Sequence, residues 1–137
     1  MQSVSAEATL FNPDPASYLP HRYPFLLLDR ILSLECGVQA TALKSVTGQG
    51  GCFPQVLLVE CVAQLAGIMT ISEEGEGGFL AAIDGAEFLG SPQTGDVLTV
   101  SATVVKSFGR LFLVKGEIGC GERTLLTVQL TLGVGRL

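Results

Sequence analysis

Val56-Leu57-Leu58-Val59-Glu60-Cys61-Val62-Ala63-Gln64-Leu65-Ala66-Gly67-Ile68-Met69 is the stretch whose reading decides the fold. It is apolar almost all round. The pattern runs from Val56 to about Ser72, about four turns of helix, and stops at the polar, glycine-rich Glu73-Glu74-Gly75-Glu76-Gly77-Gly78. Such a helix sits buried at the centre of its domain, and the small residues Ala63, Ala66 and Gly67 let a sheet approach its backbone. Two polar residues interrupt it. An unpaired charge in an apolar interior costs several kcal/mol. Glu60 must therefore be paired, face a polar channel, or be retained for proton transfer. Gln64 lies four residues on, on the same helical face, within reach of Glu60 or of a pocket beside it.

Outward from the helix, the period changes to two. Val97 to Phe108, Leu111 to Cys120 and Thr124 to Val134 read as strands of an antiparallel meander, joined at Phe108-Gly109-Arg110 and Gly119-Cys120-Gly121-Glu122. In the last of them Leu126, Val128, Leu130, Leu132 and Val134 face one way and Thr127, Gln129 and Thr131 the other, as in a sheet with one covered face. Before the helix, Phe25 to Leu34 and Val38 to Val46 read as two further strands. The stretch 1–24 carries Pro13, Pro15, Pro20 and Pro24 and reads as an irregular arm with one short helical turn after Asp14. The expectation is one α+β domain over 1–137, a curved antiparallel sheet wrapped around one long helix. Phe79, Phe88, Phe108 and Phe112 read as core or tunnel lining.

Composition narrows the partners. Eight Lys and Arg, none clustered, and a net charge of -5 give no footprint for nucleic acid or an anionic membrane. The charged share is 15%, below the roughly 25% usual in soluble domains, which points to surface buried between subunits and so to a homo-oligomer. The first residues lack the basic and apolar regions of a secretory signal, and a cytoplasmic protein is expected. Cys36, Cys52, Cys61 and Cys120 are far apart, without Cys-x-x-Cys pairs or companion histidines, so reduced thiols and no metal site are expected. The glycines form no phosphate-binding fingerprint, and no cofactor is expected.

Leu19-Pro20-His21-Arg22-Tyr23-Pro24-Phe25-Leu26-Leu27-Leu28-Asp29-Arg30 resembles the N-terminal signature of the 3-hydroxyacyl-[acyl-carrier-protein] dehydratases of fatty-acid synthesis, which have the hot-dog fold. Phe53-Pro54 and Val56 to Gln64 resemble that family's loop and the start of its central helix. Ala86-Glu87-Phe88 and Gly95-Asp96-Val97-Leu98 resemble the approaches to its third and fourth strands. The resemblance implies a dimer whose sheets join edge to edge, with two acyl tunnels at the subunit interface. It also implies a site in which a histidine before Phe-Pro and the partner subunit's helix glutamate eliminate water from a 3-hydroxyacyl thioester to give the trans-2-enoyl product. Here Cys52 stands in that histidine's position, and the loop between Phe53-Pro54 and Val56-Leu57 is shorter than the family pattern.

Elimination needs a base for the C2 proton, an acid for the departing hydroxyl, and donors for charge on the thioester oxygen. Glu60 supplies one proton-transfer group. Cys52, by position, and His21, as the only imidazole in the chain, are the candidates for a second. By resemblance Phe53, Pro54, Val56, Leu57 and Gln64 form the substrate-binding set, with backbone N–H groups near Val56 and Leu57 aimed at the thioester carbonyl. Asp29 and Arg30 read as a structural pair ending the first strand. The readings that follow are a dehydratase acting on acyl-carrier-protein or coenzyme A thioesters, an acyl-binding subunit or heterodimer partner with impaired chemistry, and an acyl thioesterase.

Overall fold

The computed structural model describes residues 11–21, 25–48, 53–71 and 76–136. Six strands and one long helix make up the domain: β1 (Arg30–Glu35), β2 (Gln39–Ser45), α1 (Val56–Thr70), β3 (Glu76–Phe88), β4 (Val97–Phe108), β5 (Leu111–Cys120) and β6 (Arg123–Arg136). All pairings are antiparallel, in the order β1-β2-β4-β5-β6-β3. The meander forms as its period requires. Gly109 and Gly121, at φ +59° and +61°, take the left-handed backbone that the two tight turns need. Leu126, Val128, Leu130, Leu132 and Val134 are all buried, whereas Thr127 and Thr131 are half-buried and Gln129 is exposed.

α1 is the cover. Leu58, Cys61, Val62, Leu65, Ala66 and Met69 are fully buried, against Ala42, Leu98, Val100, Val114, Ile118 and Leu130 of the sheet. Close approach depends on one glycine, with a second in ordinary contact. A Cβ on Gly116 of β5 would collide with Val62, and one on Gly78 would stand 3.5 Å from the Gly67 Cα. The small residues of the helix thus meet small residues of the strands. Packing outweighs the helix propensity that Gly67 costs.

Three expectations change. The first strand begins at Arg30 rather than Phe25, because the backbone of residues 25–27 is satisfied by a side chain of α1 and not by a neighbouring strand. The glycine-rich turn expected after the helix is, from Glu76 on, already β3, a 13-residue edge strand paired with β6 from Glu76↔Arg136 to Phe88↔Leu126. Ala86-Glu87-Phe88 closes this strand instead of opening one. Finally, Phe79, Phe88 and Phe108 are exposed, and only Phe112 packs on the core. The Phe79 ring lies over Gly133, where it would meet a Cβ.

The arm has the short turn expected of it. A 3-10 turn at Pro15–Ser17 is capped by Asp14, whose carboxylate accepts the Ala16 N–H at 3.0 Å. Pro13 then accepts the Ile31 N–H at 2.8 Å, and Leu19 is buried in the core. Asp29 and Arg30, read as a pair ending the first strand, stand at its start instead, where Asp29 accepts the Ser45 N–H at 2.6 Å. No helix among the described residues is long and apolar enough to cross a membrane.

Gly116→Ala should destabilise the fold by about 1–3 kcal/mol, because Val62 is buried and β-branched and cannot turn aside. Gly85→Ala, where nothing lies within 4 Å, is the control. Equal urea midpoints for the two variants would refute the close helix–sheet contact as the reason for this glycine.

Candidate functional site

One side of α1 stays open. Val56, Glu60, Ala63 and Gly67 recur at helical spacing along it and line two adjoining cavities. The first, of about 560 Å³, is walled by Phe25, Leu27, Val56, Leu57, Val59, Leu80 and Ile83 and is apolar. The second, of about 340 Å³, runs toward the helix C-terminus past Ala63, Gly67, Gly77, Gly78 and Leu132. Glu60, His21 and Leu80 line both. The carboxylate therefore stands where the two meet. Its side chain is 42% exposed, so the interruption of the apolar run is a group on the open face and not a charge in the core.

Gln64 holds this junction together. Its Oε1 accepts the Leu27 N–H at 3.0 Å, and its Nε2 donates to the Phe25 carbonyl at 2.9 Å and to Glu60 Oε2 at 3.1 Å. Both amide hydrogens are used. The side chain is only 3% exposed and saturated, which fixes the extended segment beside the helix and orients the carboxylate. His21 is delivered by the arm, with its Nε2 3.8 Å from Glu60 Oε2 and its side chain 35% exposed. The structure thus brings together Glu60, Gln64 and His21 from one chain, with Val56 and Leu57 beside them.

The other expected residues divide. Phe53 packs partly buried against the core beneath the Lys44 ammonium, 5.9 Å from its ring centroid, and lines neither cavity. Pro54 is exposed and also lines neither; its carbonyl accepts the Leu57 N–H at 3.0 Å. That bond closes the first turn of the helix and takes the Leu57 donor away from any thioester carbonyl, which leaves Val56 at the helix N-terminus for that role. Cys52, expected in the position of the family histidine, lies outside the described residues.

Two contributions were not foreseen. Glu76, read as part of a polar turn, places a nearly buried carboxylate on the wall of the second cavity, held by both terminal nitrogens of Arg110 at 3.2 Å. Leu80 and Ile83 line the first cavity from β3. Their signal was the return of large apolar residues after the glycines, which reads equally well as a loop. Cys61, next to Glu60 in sequence, is turned to the opposite side and fully buried; desolvation pushes its thiol up to about 12.

Two outcomes follow. Gln64→Leu, which orphans the Leu27 N–H, should cost about 1–3 kcal/mol in thermal or urea unfolding; an unchanged midpoint would contradict the tie. At pH 8 an alkylating reagent should modify exposed Cys36 and spare Cys61 until the chain is unfolded. The sign for stability is fixed by the raised value: the folded state keeps the Cys61 proton longer than the unfolded chain does. This contribution is therefore full below the ordinary thiol range and is lost as pH climbs through it toward about 12.

A family model described as the thioesterase superfamily matches residues 61–127. The 3-hydroxyacyl-[acyl-carrier-protein] dehydratase FabZ of Caldanaerobacter subterraneus subsp. tengcongensis is 37% identical over 132 residues, covering 87% of this chain and 94% of that protein. The FabZ protein of Listeria monocytogenes serotype 4b is 40% identical over 130 residues, covering 81% of this chain and 90% of its own. Among solved structures, the dehydratase heterocomplex ApeI:P from Xenorhabdus doucetiae matches with a TM-score of 0.78 at 19% identity, over 92% of this chain and 93% of the matched one. That last likeness is one of fold, and the fold is the hot-dog fold.

Proposed function

The chain belongs to the FabZ family of 3-hydroxyacyl-[acyl-carrier-protein] dehydratases, and from that premise we propose that it binds 3-hydroxyacyl thioesters and eliminates water from them, giving trans-2-enoyl thioesters. The observation that carries this is Glu60, a carboxylate at the junction of an apolar cavity and a second, more polar one. An acyl chain fits the first by its lining of Leu, Ile, Val and Phe side chains. The reacting carbons then lie at the junction, where Glu60 transfers a proton. The N-terminal end of α1 at Val56 offers a backbone donor and the positive end of the helix dipole to the thioester oxygen. Acyl carrier protein is the carrier favoured by the relatives; coenzyme A is the alternative.

A second copy of the chain belongs in this picture. β3 is an unpaired edge that exposes Phe79, Leu80, Ile83 and Phe88, and such an edge left open invites pairing with another strand. We read it as the dimer edge, which would also cover the open side of α1. A binding subunit with impaired chemistry, in a homodimer or beside a different subunit, is the reading that Cys52 in the family histidine's position favours. Hydrolysis of the thioester is the reading that the thioesterase-superfamily match favours.

Incubation with 3-hydroxyacyl and with saturated acyl thioesters, following enoyl formation and thiol release separately, distinguishes the three. Enoyl product without thiol release is expected, and Glu60→Gln should lower its rate about 10²–10⁴-fold. Thiol release alone would replace elimination by hydrolysis. Binding with neither product would leave the acyl-binding subunit. Full activity in Glu60→Gln would rule out proton transfer by this carboxylate.

A further inference from the structure

Two proton-transfer groups are needed for elimination, since the proton leaves C2 while the hydroxyl leaves C3. These carbons are adjacent, so two neighbouring groups can serve both from one face of the substrate. His21 is the only histidine in the chain, and its Nε2 is 3.8 Å from Glu60 Oε2. Both side chains line both cavities and both are about a third or more exposed there. Each is accessible to a bound molecule.

The imidazole is held from two sides. N-terminal to it, Leu19 is buried against α1, with its Cδ2 3.7 Å from where a Cβ on Gly67 would lie. C-terminal to it, Phe25 and Leu27 are bonded to Gln64, the same amide that orients Glu60. One face of α1 between residues 60 and 67 thus positions both members of the pair. A separation slightly beyond hydrogen-bond length is common in catalytic pairs before substrate tightens them.

Resting on the dehydration reading, we propose that His21 is the second proton-transfer group, supplied by the same chain as Glu60. The pair shares one mobile proton. One member removes the C2 proton as the C2=C3 bond forms; the other delivers its proton to the C3 hydroxyl as the C3–O bond breaks, and water leaves. The proton taken from C2 then passes between the two side chains and restores the starting state, with no oxidant, reductant or metal consumed. The protomer thus carries its own acid and base.

The test compares the unaltered chain with His21→Gln, His21→Gly and Glu60→Gln on a 3-hydroxyacyl-pantetheine thioester. His21→Gln should lower kcat for enoyl formation about 10²–10⁴-fold with KM changed little. Added imidazole should restore part of the turnover of His21→Gly and none of that of Glu60→Gln. Because there is one histidine, its ring signals in an NMR spectrum need no assignment. They should move when a non-reacting 3-hydroxyacyl-pantetheine amide saturates the site. Undiminished kcat in His21→Gln, or ring signals indifferent to the bound amide, would overturn this role alone and leave the dehydration reading in place. An unaltered chain that forms no enoyl product from any such thioester overturns both.

Discussion

The side-chain amide of Gln64 is the interaction on which the rest of this structure depends. A polar group 3% exposed in an apolar helix would cost several kcal/mol if its hydrogen bonds were unmade. Instead it accepts from Leu27 and donates to Phe25 and Glu60. Three features follow from one residue. Segment 25–27 is extended without belonging to the sheet, Glu60 has one oxygen pinned, and the arm that carries His21 is moored beside the helix that carries Glu60. An apolar residue at 64 would accomplish none of these.

Close approach is the second constraint, and it acts on shape. Gly116 admits Val62, while Gly67 packs in ordinary contact with Gly78 and Leu19. Each contact draws the helix nearer to a strand or to the arm. The result is a helix whose sheet-facing side is sealed and whose other side is a trough floored by Ala63, Gly67, Gly77 and Gly78. The trough exists because those residues have little or no side chain to fill it.

How far this was legible follows from which forces are local. The helix and the meander announce themselves, because an all-apolar run and a period of two are properties of neighbours in sequence. β3 does not. Its residues are exposed on both faces over most of its length, so no alternation marks it, and its register is set by β6, beginning with glycines opposite Gly135 and Val134. The start of β1 was misplaced for the converse reason: Phe25 to Leu28 has the composition of a strand, but its backbone bonds go to a side chain 37 and 39 residues away. At the site, Glu60 and Gln64 were legible as polar residues in apolar surroundings. The nearness of His21 was not, because it depends on where the arm docks. Glu76 looked like any charge in a turn, and the Leu57 N–H looked available until the turn at Pro54 claimed it.

One step along a helix turns a side chain by about 100°, and that rotation separates two chemistries here. Glu60 projects into the trough, whereas Cys61 projects into the core, where desolvation holds its thiol protonated and out of reach. Nucleophilic thiol chemistry from the helix is thereby closed off, and what the open face presents is the Glu60 carboxylate. The reaction then turns on what stands beside the carboxylate. Glu60 is one group able to move a proton, and elimination moves two, one from C2 and one to the C3 hydroxyl. An imidazole 3.8 Å away offers a second such group, and under the proposed elimination one of the two serves C2 and the other C3.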